Sequence, residues 1–326
     1  MVAGFSSYAQ DIHFSQFKSA PLNTNPASFS PESYDIRLVM NHKNQWNSFT
    51  NAYRTFSFSL DGPIPYAIAP WLKVRSGLLV NSDRAGDGGL GFIAFSIPLI
   101  AEFSFPSLSS RFSLAASGGV TQYGVDVTQF TFDSQYQGNS FQPDLPPMET
   151  GLARAILHSD WSFAAAWQFQ LSPDLFFETG WNGQHLHEPD LSWYGEGLNR
   201  LPARHQFYVE MNWMLNPMYR LIPVFYYSNQ GKYQESIMGA AWSVLAEHPL
   251  LRSQTYGLYL RASDAILLSY HLRLSDYQIG VSYDINVSGL SRASYGRGGF
   301  EISLIYWLSR KPKLPETRFK QCPRII

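Results

Sequence analysis

The amino-acid sequence predicts an all-β protein, a transmembrane antiparallel β-barrel of about 14 strands, and three features support this fold class. Apolar and polar side chains alternate with a period of two in one segment after another, as they do in β-strands. Charged residues are only 15% of the chain and aromatic residues 16%, with a mean hydropathy of −0.18. No apolar run is long enough for a membrane-spanning helix. Together these features favour strands with lipid on one face and water on the other, although a large soluble β-sandwich or β-helix has a similar composition.

The N-terminal part of the chain lacks a strand period. Residues 1–9 end in Ser-Tyr-Ala, so we interpret them as the end of an export signal cleaved after Ala9; an ordinary flexible terminus is the alternative. Residues 10–31 are rich in Phe, Gln, Asn and Pro, which favours turns and extended chain. We predict that this segment plugs the lumen, where its amides can bond to a polar wall. The candidate plug residues are His13, Phe14, Ser15, Gln16, Phe17, Asn25 and Pro26.

The barrel is predicted to occupy residues 32–308. The clearest strand pair lies between residues 160 and 181, where Ser172-Pro173 separates two alternating runs by a tight turn. The apolar parity of the first run carries Trp and Phe, and the other parity carries small and amide side chains. The predicted strands are 34–41, 54–61, 72–80, 89–103, 111–123, 160–171, 174–181, 206–215, 219–228, 233–244, 255–261, 265–274, 277–287 and 300–308.

An even strand number places both ends of the barrel on the same side of the membrane. If both ends are periplasmic, the connections 106–110, 172–173, 216–217 and 275–276 are periplasmic and short, while the long segments 128–150, 183–202 and 288–298 lie outside. This distribution is typical of outer-membrane barrels. The segment 248–252 is longer than the pattern requires.

No constellation of catalytic or cofactor-binding residues stands out, so the sequence predicts neither an enzyme nor a cofactor. The Gly/Asp-rich segment 81–88 lacks the ending of a phosphate loop and the glutamate of a calcium loop, which indicates a turn. His185 and His187 beside Glu188 could touch zinc, but no third ligand is defined. With a net charge of −1, the chain has no excess of positive charge that would attract nucleic acid.

Residues 309–326 are predicted to form a periplasmic tail rather than a strand. The tail carries six basic residues and one acidic residue, and it contains the only cysteine, Cys322. It is either a solvated tail or a contact for an acidic partner. The candidate contact residues are Arg318, Lys320 and Arg324.

A set of short motifs occurs in order along the chain. The motifs are Asp-Ile-His-Phe-Ser-Gln-Phe at 11–17, Pro-Leu-Asn-Thr-Asn-Pro-Ala at 21–27, Asn-Gln-Trp at 44–46, Ala-Gly-Asp-Gly-Gly-Leu at 85–90, His-Leu-His-Glu-Pro at 185–189, Leu-Pro-Ala-Arg-His at 201–205, Tyr-Asp-Ile-Asn-Val-Ser at 283–288, Gly-Phe-Glu-Ile-Ser at 299–303 and Cys-Pro-Arg-Ile at 322–325. This ordered set resembles the PorP/SprF outer-membrane proteins of type IX secretion and gliding motility in Bacteroidetes. His42-Lys43 departs from the family, in which an aromatic residue and an arginine are commoner at this point.

The resemblance implies a non-enzymatic barrel, embedded in outer-membrane lipid, that helps to export large adhesins or to hold them at the surface. Its partners would be the C-terminal sorting domain of such an adhesin and other components of the secretion system. A diffusion channel for small solutes and an outer-membrane hydrolase are the alternatives. The candidate cargo contacts in the outer loops are Asn44, Gln45, Trp46, Asp87, His185, His187, Trp193, Arg292, Tyr295 and Arg297.

Overall fold

The structure, a computed structural model, describes residues 11–29, 35–45, 53–65, 69–85, 89–125, 131–138, 140–146, 155–193, 199–248, 250–289 and 296–309. Fourteen antiparallel strands form one closed barrel, which confirms the predicted fold class. Each strand pairs with the next along the chain, and the first pairs with the last, from Ile36 opposite Leu308 to Gln45 opposite Gly299. Because the first and last strands pair, the sheet has no free edge along this seam. Their backbone N–H and C=O groups are therefore hydrogen-bonded, as lipid requires.

The barrel strands are β1 Ile36–Gln45, β2 Tyr53–Pro63, β3 Leu72–Ala85, β4 Leu90–Phe105, β5 Ser110–Gly124, β8 Ala155–Ser172, β9 Leu175–Gln184, β10 Arg204–Asn216, β11 Tyr219–Gln230, β12 Tyr233–Leu245, β13 Leu251–Arg261, β14 Ala265–Leu274, β15 Tyr277–Asn286 and β16 Arg297–Leu308. A separate two-stranded ladder pairs β6 Tyr136–Gln137 with β7 Ser140–Phe141. The helix α1 spans Pro21–Thr24, and 3-10 turns span Phe17–Ser19, Pro106–Leu108 and Asp133–Gln135. In the described ranges no helix has the length and apolar character needed to cross a bilayer.

The two faces of the wall differ as the two-residue period predicts. On β8, Trp161 is 54% exposed and Phe163 is 53% exposed, while Ala164 and Ala166 on the opposite parity are buried. Large apolar side chains therefore point away from the barrel, towards the bilayer. Small, polar and charged side chains point inward, as they do in water-facing barrel lumens.

The strand ends that flank the three longest connections, 125–154, 185–203 and 287–296, all lie at one end of the barrel. We call this end the loop rim. The opposite end, which we call the turn rim, carries the short connections 173–174, 217–218 and 275–276. The connection after β12 spans only 246–250, because β13 begins at Leu251, four residues before its predicted start, and the predicted exception at 248–252 largely disappears.

The predicted turn at 81–88 is shorter than expected, because β3 continues to Ala85. Asn81 and Asp83 face inward and have polar partners there: Asn81 Nδ2 donates to Asn23 Oδ1 at 2.8 Å, and Thr55 Oγ1 donates to Asp83 Oδ1 at 2.5 Å. The polar composition of this segment predicted a turn. The segment instead continues strand β3, because inward-facing side chains in the lumen supply hydrogen-bond partners for Asn81 and Asp83.

Candidate functional site

Residues 11–29, which we call the N-terminal segment, lie against the inward face of the barrel and run between its two rims. At the loop rim, the backbone N–H of Asp11 donates to Gln230 Oε1 at 3.1 Å. At the turn rim, Arg75 Nη1 donates to the carbonyl of Ser28 at 3.1 Å. The segment thus spans the length of the lumen before β1 begins, and its contacts make it the candidate functional site.

A histidine between two aspartates ties the segment to the loop rim. His185 Nε2 bonds to Asp11, and His185 Nδ1 lies 2.9 Å from Asp160 Oδ2. Burial opposes the charge on His185, but Asp11 and Asp160 outweigh it and raise the pKa of His185 to about 10. For Asp11, burial opposes the charge, yet His185 holds the pKa of this carboxyl below its usual value. The His185 ring is therefore charged at neutral pH and bridges the segment and β8.

Glu301 on β16 holds the middle of the segment by its backbone. The N–H groups of Ser15 and Gln16 donate to the two carboxylate oxygens of Glu301 at 2.7 and 2.9 Å. Lys43 Nζ lies 3.3 Å from Glu301 and donates to the carbonyl of His13 at 2.9 Å. Because Glu301 and Lys43 are both buried, these charge-assisted bonds are among the stronger contacts of the site.

A buried arginine on β13, Arg261, binds the side chain of Ser15. Arg261 Nη2 donates to Ser15 Oγ at 2.7 Å, and Ser15 Oγ donates to Asp284 Oδ2 at 2.7 Å. Asp284 and Glu235 balance the guanidinium, at 3.1 and 2.8 Å. Ser15 is therefore held through its side chain by Arg261 of β13 and Asp284 of β15, and through its backbone by Glu301 of β16.

Lys18 carries the positive charge of the segment in the half of the lumen nearer the turn rim. Its Nζ lies 2.9 Å from Glu210 and 3.5 Å from Glu178, and it stands 5.0 Å from the centre of the Tyr208 ring. Burial opposes the charge, but Glu178 and Glu210 raise the pKa of Lys18 above its ordinary value. The Lys18 side chain is 41% exposed, so this ion pair borders the open part of the lumen.

Two arginines meet the end of the segment at the turn rim. Arg75 is fully buried and pairs with Asp61 and with Glu102, the latter at 2.5 Å. Arg37 Nε donates to Asp61 at 2.8 Å. Balanced charges on β1 to β4 thus surround the carbonyl of Ser28, which accepts from Arg75.

Apolar contacts fill the space between these polar attachments. Phe17 stacks on Tyr226 with 5.0 Å between the ring centres. Leu22 and Ala27 pack against the opposite wall. The apolar residues around Phe17 are Tyr208, Val224, Tyr226, Ile237, Ala265 and Leu267, and those around Leu22 and Ala27 are Leu79, Ile100, Ala115, Ala164 and Ala166.

The described parts of one connection, 185–193 and 199–203, fold over part of the loop rim. Leu191 and Leu201 pack with Tyr123, and Trp193 packs against this cluster. A cavity lies nearby, between the N-terminal segment and the walls of β3, β4, β5 and β8. Asn23, Thr121 and Gln184 supply part of its polar lining.

The structure places the predicted plug residues together. Phe14, Ser15, Gln16, Phe17, Asn25 and Pro26 are buried, and His13 is half-buried. Asn25 Nδ2 donates to the carbonyl of Ala165 at 2.9 Å. Lys43 and Arg261 close to His13 push the pKa of that histidine well below its ordinary value, with burial acting in the same direction.

The predicted loop contacts are scattered. Asn44 and Gln45 belong to the end of β1 rather than to a loop, His187 and Arg297 are exposed, and Trp193 is half-buried. His185 is buried against Asp11 and is therefore not a surface contact. Trp46, Asp87, Arg292, Tyr295, Arg318, Lys320 and Arg324 lie outside the described residues.

Sequence reasoning missed the wall residues that hold the segment, above all Glu301, Arg261 and Glu210. Each stands on the inward parity of its strand, where a charge looks like any other water-facing residue. The available signal was a charged side chain within a strand, on the parity that faces the lumen. In the described part of the chain, no group of three or more His, Cys, Asp or Glu side chains could hold a metal ion.

Comparison with known proteins decides the family. The family model for the type IX secretion system membrane protein PorP/SprF matches residues 6–306. The chain belongs to the PorP/SprF family. As a member of this family with a closed barrel of fourteen strands, it is an outer-membrane protein of the type IX secretion system.

Solved structures with the same fold include two toluene transporters. The crystal structure of the Ralstonia pickettii toluene transporter TbuX is 9% identical to this PorP/SprF protein and covers 89% of this chain and 94% of its own, with a TM-score of 0.54. The Pseudomonas putida toluene transporter TodX is 11% identical and covers 92% and 93%, with a TM-score of 0.51. At this identity the likeness shows the fold alone. No curated protein matches the chain.

Proposed function

We propose that this barrel is a non-enzymatic anchor of the type IX secretion system, which supports the export and surface attachment of large adhesins with a C-terminal sorting domain. The secretion role rests on membership of the PorP/SprF family. The anchoring role rests on one structural observation, the attachment of the N-terminal segment to the lumen wall. A channel for cargo or solute would need the space in which this segment lies.

The strength of this attachment supports a plug rather than a loosely held gate. Buried or half-buried acidic and basic side chains from both halves of the wall bind the segment, and each is itself paired with opposite charge. Removing one partner of such a pair leaves an uncompensated charge, which costs about 3–5 kcal/mol in other buried pairs. The segment thus acts as part of the folded barrel.

The loop rim is the proposed contact surface for the sorting domain. It carries the three longest connections and, among the described residues, the exposed His187 and Arg297. Together with Asn44, Gln45 and Trp193, these residues form the described part of the proposed contact set. The basic residues Arg318, Lys320 and Arg324 would face the periplasmic components of the secretion system.

Affinity purification tests the anchoring role. A tagged barrel is recovered from cross-linked cells of the wild type and of a strain in which one adhesin lacks its sorting domain. We expect the adhesin to be recovered with the barrel only when the sorting domain is present. Failure to recover it from the wild type, together with normal adhesin display in a knockout of the barrel, would contradict the proposal.

Conductance separates the anchor from the alternative of a small-solute channel, such as the toluene transporters TodX and TbuX. In planar bilayers we expect the intact protein to show little steady current and a variant without residues 11–29 to show a large one. A wide, steady current through the intact protein would favour the channel. Turnover of lipid that is lost on changing a single serine would instead favour a hydrolase.

A further inference from the structure

One barrel strand, β8, extends well beyond one of its neighbours. It pairs with β5 along its length, from Ala155 opposite Gly124 to Phe169 opposite Ser110. With β9, the pairing begins only at Phe163, opposite Gly183. Residues 155–162 therefore form an edge of the sheet at the loop rim. Among the residues that the structure describes, this stretch has a strand partner on one side only, which is β5.

The hydrogen bonds around β8 show which backbone groups face the open side. The N–H of Gln170 donates to the carbonyl of Ser109 at 2.9 Å, so even-numbered residues bond towards β5. The carbonyl of Trp161 accepts from the N–H of Leu186 at 3.4 Å, so odd-numbered residues face the other way. By this alternation the backbone groups of Leu157 and Ser159 point to the open edge.

Local side chains cover part of this edge. The N–H of Trp161 donates to Asp160 Oδ1 at 2.8 Å, and His158 Nδ1 donates to the carbonyl of Ser159 at 2.9 Å. The N–H and C=O of Leu157 and the N–H of Ser159 have no such cover in the described structure. The Leu157 side chain is also 70% exposed. An unpaired strand edge beside an exposed apolar side chain is a template for pairing with another chain.

A second copy of the barrel in the same membrane does not fit this edge. Two copies in one bilayer are related by an axis along the membrane normal, which leaves the direction of each strand relative to the normal unchanged. With the usual strand tilt, the two edges would cross at roughly 70–90° instead of aligning. The edge therefore suits an extended segment of a different protein.

We propose that the open edge of β8 at Leu157 and Ser159 binds an extended segment of the exported sorting domain as an added β-strand. This inference rests on the proposed function and states how the partner binds. Main-chain bonds to Leu157 and Ser159 supply the attachment, and alternate apolar side chains of the segment pack on Leu157 and Trp161. The partner chemistry is thus a strand with apolar residues at every second position.

A proline substitution tests strand addition without changing the pairing with β5. Leu157→Pro removes an N–H that faces the open edge, a position at which strands tolerate proline. Leu157→Ala is the matched control, since it removes the side chain and keeps the N–H. The probe is the sorting domain of an adhesin from the same organism, fused to a carrier protein. We expect the dissociation constant to rise about tenfold or more for Leu157→Pro and only about threefold or less for Leu157→Ala.

The outcomes separate this inference from the proposed function. Tight binding by the wild type that Leu157→Pro leaves unchanged would overturn strand addition and leave the anchor role intact, as would an equal loss in both variants. No binding by the wild type would overturn the anchor role and the inference with it. Should Leu157→Pro fail to fold, hydrogen exchange of the wild type decides: the amides of Leu157 and Ser159 are expected to exchange at least about tenfold more slowly with the probe bound, and unchanged rates would overturn the inference.

Discussion

At the scale of single residues, the interior of this barrel depends on balanced charge. Arg75 is the clearest example, since it is fully buried between Asp61 and Glu102 and also reaches the carbonyl of Ser28. The sequence shows Arg75 only as one polar residue on a strand. Its two acidic partners come from the neighbouring strands β2 and β4, so the strand register had to be known before the pairing could be seen.

We expect Arg75→Met to destabilise the barrel by about 3–5 kcal/mol, because it removes the ion-pair partner of buried Glu102 and leaves buried Asp61 with Arg37 alone. The measurement is the temperature at which the folded form disappears in gel-shift assays of heat-treated protein. Arg84→Met, on the exposed face of the same strand, is the control and should change the free energy of unfolding by less than about 0.5 kcal/mol. Equal effects of the two changes would contradict the buried charge network.

The charge on His185 predicts a dependence on pH at the loop rim. Because the folded pKa, about 10, exceeds the ordinary value of about 6.5, its stabilising contribution is complete below about pH 6.5 and is lost as pH rises through about 10. The lowered pKa of Asp11 means that its own contribution is lost only in acid. We therefore expect more frequent current steps in planar bilayers above about pH 10. His185→Gln should show similar step frequencies on both sides of this window, and a variant that keeps the wild-type dependence would contradict the assignment.

At the scale of elements, the N-terminal segment behaves as a part of the wall without being a strand. Its amides and carbonyls bond to inward-facing side chains, above all to Glu301, which accepts from two consecutive N–H groups. Composition alone predicted a segment suited to a polar lumen, because Phe, Gln and Asn can pack and bond there. The composition carries no information about which wall residues it meets.

Glu301→Ala should loosen the segment, since the N–H groups of Ser15 and Gln16 lose their acceptor and Lys43 loses its counter-charge. We expect a destabilisation of about 3–5 kcal/mol and a higher mean conductance than that of the wild type. Glu301→Gln should give a smaller effect, because one amide oxygen still accepts. Glu247→Ala, an exposed carboxylate at the turn rim, is the control. If Glu301→Ala has the same stability and the same low conductance as Glu247→Ala, this attachment is ruled out.

At the scale of the whole molecule, the barrel has two different ends, and the proposed anchor role requires the loop rim to face the outside of the cell. We expect a membrane-impermeant maleimide to label His187→Cys in intact cells and to label Met218→Cys only after the outer membrane is permeabilised. Both side chains are exposed, one at each rim, and both changes are made with Cys322→Ser to remove the native thiol. The reverse labelling pattern would invert the orientation and remove the loop rim as the adhesin contact.

The sequence by itself determined the fold class, a barrel of about fourteen strands, together with the parity that faces lipid and the places of the short turns. It could do so because a period of two and the contrast between lipid and water act on neighbouring residues. Only the tertiary structure decided that Ser15 meets Glu301, 286 positions away, and that β8 leaves an open edge beyond β9. Such contacts depend on how far each strand extends and on its register around the closed wall, and local alternation leaves both undetermined because every strand on the wall repeats the same pattern.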